Sequence, residues 1–254
     1  MVLLMGAGGV AALGASQPTG VLVPPGAIVD SPNAGANPGV PNPPPGQAAP
    51  AAPATTDVLF YDDFSKGLDG WESLSSAAGR WVAADGVLQQ RGDANGDVTT
   101  QEDNAVLLVK NSIATSIDNG VIEAAIYPLS GSPVGVVFRG SDAGYYRLSL
   151  YQGPPPVGGN NSNQSLGVLE KVTASGVQQI GAAPTTWGGY RLNEWIGVRV
   201  EAVGREIKVR VDNTQIMQVS DQNEGLSKGW AGVWTRADRG AHFDNVRILR
   251  APGH

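Results

Sequence analysis

The 254-residue chain contains no cysteine and only two histidines, His242 and His254. Without cysteine there can be no disulfide, thiolate zinc site, iron–sulfur cluster or cysteine nucleophile. So few histidines also disfavour His-rich metal sites and Ser–His–Asp triads. Any bound metal would therefore be held by oxygen ligands.

Basic residues are also scarce, with 17 Lys and Arg against 23 Asp and Glu and a formal net charge of −6. They are scattered along the chain and form no basic run. Nucleic-acid binding requires a basic surface that neutralises phosphates, so we expect no nucleic-acid partner. No Gly-rich loop leads into a helix that would cradle phosphates, so we expect no nucleotide either.

The first 56 residues lack aromatic side chains, Lys and Arg, and hold 11 of the 18 prolines. Residues 1–16 form an uncharged apolar run that is short for a membrane span and resembles a signal-peptide core or an anchor, although no basic residue precedes it. Residues 17–56 are rich in Pro, Ala and Gly and predict a non-globular spacer. This pattern indicates an exported protein, extracellular or at the cell surface.

One stretch of the spacer, VLVPPGAIV at residues 21–29, is apolar enough to add as a strand to a neighbouring molecule. Self-association through this stretch would make the protein a structural subunit of an extracellular filament or matrix. We keep this as an alternative function.

Residues 57–254 predict a single all-β domain. Roughly fourteen short β-branched or aromatic runs are separated by Gly, Asn, Asp and Ser, from VLFYDDF at 58–64 to AHFDNVRIL at 241–249. Several runs alternate, as where Ile122, Ala124 and Ile126 oppose Glu123 and Tyr127. One face of each sheet should be core and the other wet. The pattern predicts a two-sheet antiparallel sandwich with tight hairpins at residues 203–205 and 212–213.

The runs GVIEAAIYP, GVVFRGSDAGYYRLSLY, WIGVRVEAVGREIKVRVDNTQI and GWAGVWTRADRGAHFDNVRIL resemble the concanavalin A-like lectin and glucanase superfamily. More narrowly they are similar to laminin-G-like and keto-disaccharide-hydrolase-like domains, which are related to family 16 glycoside hydrolases. The resemblance spans Val58 to Leu249 and implies a jelly-roll sandwich whose first strand pairs near the last. It says little about activity, because this fold carries sugar binders, lyases, hydrolases and structural modules.

Carbohydrate binding requires aromatic platforms and planar hydrogen-bonding groups. Alternation in YYRLSLY sets Tyr146, Leu148 and Leu150 against an opposite face that carries polar and aromatic groups. Arg139 ends the neighbouring strand, and two further rings lie in the Gly-flanked loop TTWGGYR. The candidate glycan-binding residues are therefore Arg139, Tyr145, Arg147, Tyr151, Trp187 and Tyr190.

No cofactor is required by any motif, but a structural calcium fits the oxygen-only chemistry. Some superfamily relatives hold calcium where the first strand meets the last, and the resemblance assigns that place to Asp244, with Asp62 or Asp63 contributing. A second candidate is Asp93, Asn95 and Asp97, which have the 1, 3, 5 spacing of a calcium loop. That loop lacks Gly at position 6 and Glu at position 12, so an acidic hairpin is the alternative.

Glucan-cleaving relatives carry two or three carboxylates spaced by two along one strand. Glu123, Glu170 and Glu201 each lack such a partner, so we expect solvated outward acids rather than a catalytic pair. The leading interpretation is a non-catalytic, exported or surface-tethered module that binds polysaccharide or another glycan. A glycoside hydrolase or lyase built from separate strands is a further alternative.

Overall fold

The computed structural model describes residues 58–74, 81–91, 104–110, 117–153, 165–222, 225–236 and 240–252. The N-terminal segments, including residues 21–29, lie outside the described residues, as does the candidate loop with Asp93, Asn95 and Asp97. The predicted boundaries at residues 16 and 56 are therefore not tested. Within the described ranges the chain forms strands and turns, and no helix there is long and apolar enough to cross a membrane.

Fifteen strands are described, one more than the sequence predicted, because the short strand β2 follows a turn-rich stretch without alternation. In chain order they are β1 Val58–Asp62, β2 Trp71–Ser73, β3 Trp81–Ala84, β4 Val87–Gln90, β5 Asn104–Val109, β6 Gly120–Pro128, β7 Val134–Ser141, β8 Gly144–Leu150, β9 Gly167–Thr173, β10 Gly176–Ala182, β11 Ile196–Val203, β12 Glu206–Val211, β13 Thr214–Ser220, β14 Trp230–Arg236 and β15 Ala241–Arg250.

The strands form two antiparallel sheets, which confirms the predicted sandwich. The eight-stranded sheet has the order β13-β12-β11-β6-β15-β4-β3, with β1 paired to β15 as the resemblance implied. The seven-stranded sheet has the order β10-β9-β8-β7-β14-β5-β2. Consecutive strands pair as hairpins in β3–β4, β7–β10 and β11–β13, while β5, β6, β14 and β15 supply the long-range pairings.

Both predicted hairpins are present. Asp212 and Asn213 have φ of +48° and +64° between β12 and β13, the double left-handed conformation of a type I′ turn. Gly204, with φ of +54°, turns the chain between β11 and β12. These tight turns match the right-handed twist of the strands and fix the register of this meander.

The core lies between the sheets and is built from the inward side of each alternation. Ile122, Ala124 and Ile126 of β6 are buried there, opposite Tyr146, Leu148 and Leu150 of β8. Phe138 stacks on Tyr146 with ring centroids 5.3 Å apart. The alternation thus assigned the inward side correctly on these strands.

The expectation of a wet outer face is wrong for the middle of the eight-stranded sheet. Glu123 on β6 is fully buried, where a solvated acid was expected. It contacts the Arg199 guanidinium on β11, and an Arg247 nitrogen on β15 lies 3.9 Å from its other oxygen. Burial raises the pKa of Glu123, and the hydrogen bond from Arg199 opposes that rise. Long side chains on flanking strands cover a central strand, which alternation alone does not reveal.

Candidate functional site

Strand β8 supplies the first residues of a site on the outer face of the seven-stranded sheet. Tyr146, Leu148 and Leu150 point into the core, so Tyr145, Arg147 and Ser149 project outward. The β8–β9 register sets Arg147 opposite Glu170 and Ser149 opposite Val168. The outward positions predicted for Tyr145 and Arg147 are therefore the ones observed.

Arg147 is at the centre of this face. Its guanidinium lies over the Trp234 ring, 4.6 Å from the centroid, and its Nε donates a 2.8 Å hydrogen bond to Glu170 Oε2. The Ser149 hydroxyl donates to the same oxygen at 2.7 Å. Stacking and the ion pair together hold the planar fork in one orientation.

Aromatic side chains from β14 and β8 surround this arginine. Trp234 is buried and donates its Nε1–H to the Leu148 carbonyl at 2.6 Å. The Tyr145 and Trp230 rings are partly exposed, with centroids 5.3 Å apart. These rings pack on an apolar patch formed by Val106, Leu108 and Val137.

Close approach of backbone to the tryptophan depends on a glycine. A Cβ on Gly135 would overlap the Leu148 carbonyl oxygen and lie 3.1 Å from Trp234 Nε1. Gly135 pairs with Trp234 across β7 and β14, so the missing side chain makes room for the indole. The glycine thus lets the Trp234 indole lie close to β7.

Tyr151 extends the site beyond the end of β8. Burial is the main cause that raises the pKa of Tyr151, and the Glu170 charge raises it as well. The Arg147 and Arg236 charges and a hydrogen bond with Ser149 lower it. These influences place the Tyr151 phenol beside the Arg147–Glu170 pair. Burial also raises the pKa of Tyr145. Both phenols are therefore neutral at physiological pH and can donate or accept a hydrogen bond.

Several polar atoms of this face remain free to bind a ligand. Within the described ranges, no residue accepts a hydrogen bond from the two terminal nitrogens of Arg147, and Glu170 Oε1 has no donor. Their side chains are 11% and 15% exposed, so the groups lie low in the surface yet reach solvent. The arrangement presents a rigid donor fork, a carboxylate acceptor, two phenols and rings.

Arg139 does not join this face. It has a φ of +51° in a bulge between Phe138 and Ser141, which turns its side chain toward the end of the sandwich. There it is buried and donates to the carbonyls of Asp118 at 2.5 and 3.0 Å and of Gly204 at 2.7 Å. Burial lowers its pKa. Its hydrogen bonds tie loops together.

The two candidate rings of the TTWGGYR loop also lie away from the face around Arg147. Tyr190 is 2% exposed, and its hydroxyl lies 2.9 and 2.6 Å from the carbonyl oxygens of Ser130 and Ser132. Trp187 is partly buried against the core beside Gly167. Of the six candidates, Tyr145, Arg147 and Tyr151 are the ones brought together.

The candidate residues drawn from the sequence include neither Trp230 nor Trp234. The signal was the period of two in WAGVWTR, which puts both rings on one face of β14. Glu170 was noted only as an isolated acid. Its pairing with Arg147 is set by the β8–β9 register, which no local pattern encodes.

The first and last strands bring Asp62, Asp63 and Asp244 near one another, as the resemblance implied, but each carboxylate is already engaged. Asp62 accepts from Phe64 N–H and Trp71 Nε1–H, both at 2.7 Å. Asp244 accepts from the Asn245 backbone and side chain at 2.6 and 2.9 Å.

Asp63 accepts from the Ser65 hydroxyl and backbone N–H at 2.6 and 3.1 Å, and these bonds lower its pKa. No group of three acidic or histidine side chains in the described part of the chain is arranged to hold a metal. Hydrogen bonds leave further lone pairs on these carboxylates, so calcium at Asp62, Asp63 and Asp244 stays a prediction.

Comparison with known proteins shows the fold. The carbohydrate-binding module CBM66 from Bacillus subtilis aligns with a TM-score of 0.52 and 16% identity over 72% of this chain and 96% of that one. A Bacillus subtilis protein of unknown function with a galectin-like fold gives 0.59 and 10% over 76% and 96%. Porphyranase B from Zobellia galactanivorans gives 0.52 and 12% over 80% and 98%.

No protein-family model and no curated protein sequence matches the chain. At such low identity the structural likeness speaks for architecture and not for activity. It agrees with the strand order and the antiparallel pairing of both sheets. The chain therefore has the concanavalin A-like jelly-roll sandwich fold.

Proposed function

We propose that the chain is a non-catalytic glycan-binding module and that the outer face of the seven-stranded sheet around Arg147 is its binding surface. The observation that carries the proposal is the Arg147 guanidinium, which Trp234 and Glu170 hold in place and whose terminal nitrogens have no acceptor among the described residues. A polysaccharide is the expected partner. The carbohydrate-binding name of one structural neighbour agrees with this choice.

The chemistry of this surface suits sugar rings. Vicinal hydroxyls can accept from the two terminal nitrogens of Arg147 and donate to Glu170 Oε1. The apolar C–H face of a sugar can stack on the partly exposed Trp230 and Tyr145 rings. The face is held rigid before binding, because Ser149 and Trp234 fix the two charged groups.

The separation of the two acids in the described strands of this sheet favours binding over hydrolysis. Glu170 is on β9, and Glu72, opposite the outer-face residue Leu108, is on β2 at the far edge of the same sheet. Five strand spacings of about 4.8 Å separate them by about 24 Å. Paired carboxylates of glycosidases lie about 5 to 9.5 Å apart. These two strand-borne acids therefore do not support a hydrolase or lyase.

The proposal includes export to the cell surface or the extracellular space, because polysaccharides occur in both places. The apolar run at residues 1–16 and the spacer at 17–56 support it. Docking of residues 21–29 on a neighbouring subunit stays a prediction, as does calcium at Asp93, Asn95 and Asp97. No bound calcium is needed for the face around Arg147.

A glycan array tests the proposal. We expect the full chain to bind at least one polysaccharide class and Arg147→Ala to lose that signal while its circular dichroism stays unchanged. Arg210→Ala is the matched control, because Arg210 is an exposed arginine on β12 of the other sheet. A binding profile that Arg147→Ala leaves intact would rule out this surface.

A further inference from the structure

Both edge strands on one side of the sandwich lack charged residues. β10 ends the seven-stranded sheet and β13 ends the eight-stranded sheet, and their sequences are GVQQIGA and TQIMQVS. They lie side by side, with Gly181 against Met217 and Val219. The strands next to them carry charges, among them Glu170 and Lys171 on β9.

The edge of β10 is open to solvent. Residues Gly176 to Gln179 are exposed, and Val177 is 57% exposed. An edge strand presents a row of unpaired N–H and C=O groups, which natural proteins protect with Lys, Pro, very short strands or bulges. Here one bulge, between Gln179 and Gly181, is present, and it lies after the first four residues, which carry no Lys or Pro.

We propose that a second copy of this chain pairs with β10, antiparallel, about a two-fold axis normal to the sheets. The occupant is a second copy because a two-fold axis lets the same uncharged edge meet itself, which is the isologous contact of a symmetric dimer. The same axis brings β13 beside its counterpart, so both uncharged edges are covered at once. A strand from an unrelated protein would cover only one of these two edges.

This pairing gives the proposed glycan surface a second site, and that consequence rests on the proposed function. The two-fold axis leaves the outer faces of both seven-stranded sheets on one side. Five strand spacings of about 4.8 Å then separate the Arg147 residues of the two copies by about 24 Å. One polysaccharide could engage both sites and gain avidity.

Sedimentation velocity of the full chain, without glycan, tests the pairing. We expect the wild type to dimerise with a dissociation constant below about 100 µM. Val177→Lys should weaken dimerisation at least about tenfold, because like charges meet across the axis. Leu74→Lys is the matched control, since Leu74 is 49% exposed near the opposite edge of the sheet, and it should dimerise as the wild type does.

Circular dichroism checks that Val177→Lys is folded. If it is not, Gln178→Lys, on the other side of the same exposed segment, carries the test. A wild type that stays monomeric up to about 100 µM overturns the proposal. A dimer that neither lysine weakens overturns it too, because association then uses another surface. A wild type that forms the dimer but binds no glycan contradicts only the proposed function.

Discussion

At the scale of single residues, position in the fold decides what each charged group does. Arg147 and Arg139 lie on adjacent strands, yet one presents free nitrogens at the surface and the other donates to backbone carbonyls inside. The same guanidinium chemistry thus serves binding in one place and loop attachment in the other. Hydrogen-bond partners, and not residue type, separate the two roles.

Asp244 gives a pH-dependent prediction. Burial, together with the nearby Asp63 and Asp62 charges, raises its pKa to about 6, against the opposing hydrogen bond from the Asn245 N–H. The folded protein therefore holds a proton that the unfolded chain releases above its ordinary pKa near 3.8. This stabilisation is complete below pH 4 and is lost as pH rises through about 6.

Between about pH 4 and 7, we expect Asp244 to lower the free energy of unfolding by roughly 2 kcal/mol. Asp244→Asn should flatten that slope, because the amide cannot ionise. Asp142→Asn, in an exposed turn, should keep the wild-type slope. Urea titrations at each pH measure the effect, and identical slopes in wild type and Asp244→Asn would contradict it.

Residue-level prediction from sequence worked where alternation was regular. YYRLSLY gave the outward sides of Tyr145 and Arg147 because β8 is unbroken. It failed for Arg139, because this residue has a positive φ within a bulge, and a bulge changes the side of the sheet to which the following side chains point. It also missed the burial of Tyr190, whose carbonyl partners lie 58 and 60 residues away in the chain.

At the scale of elements, the site depends on which strands become neighbours. β14 lies between β7 and β5, which brings Trp230 and Trp234 beside Val137 and the arginine on β8. Fourteen of the fifteen strands and both tight hairpins were predictable from local pattern. Their order in the sheets was not, because β14 pairs with strands far earlier in the chain, as where Gly232 lies opposite both Leu108 and Val137.

Gly135→Ala tests how tightly β7 and β8 must approach. The added methyl group would overlap the Leu148 carbonyl oxygen, which also accepts from Trp234. We expect a loss of about 1 to 3 kcal/mol in the free energy of unfolding. Gly188→Ala is the control, since a Cβ there meets nothing within 4 Å. Equal urea midpoints for the two variants would contradict this account.

At the scale of the whole molecule, the two outer faces differ in what they offer. On the eight-stranded sheet, Glu123 and Arg199 are buried and engage each other. On the seven-stranded sheet, Arg147 and Glu170 pair through one oxygen and leave their other polar atoms open. The asymmetry supports ligand binding on the second face, and an uncharged side of the sandwich supports pairing of two copies.

Calorimetric titration with the strongest glycan from the array tests the central claim most directly. Arg147→Lys keeps the charge and removes the planar fork, so we expect its affinity to fall at least about tenfold, equivalent to about 1.4 kcal/mol. Arg210→Lys, on the opposite sheet, should bind as the wild type does. Wild-type affinity in Arg147→Lys would contradict the assignment of this surface as the glycan-binding site.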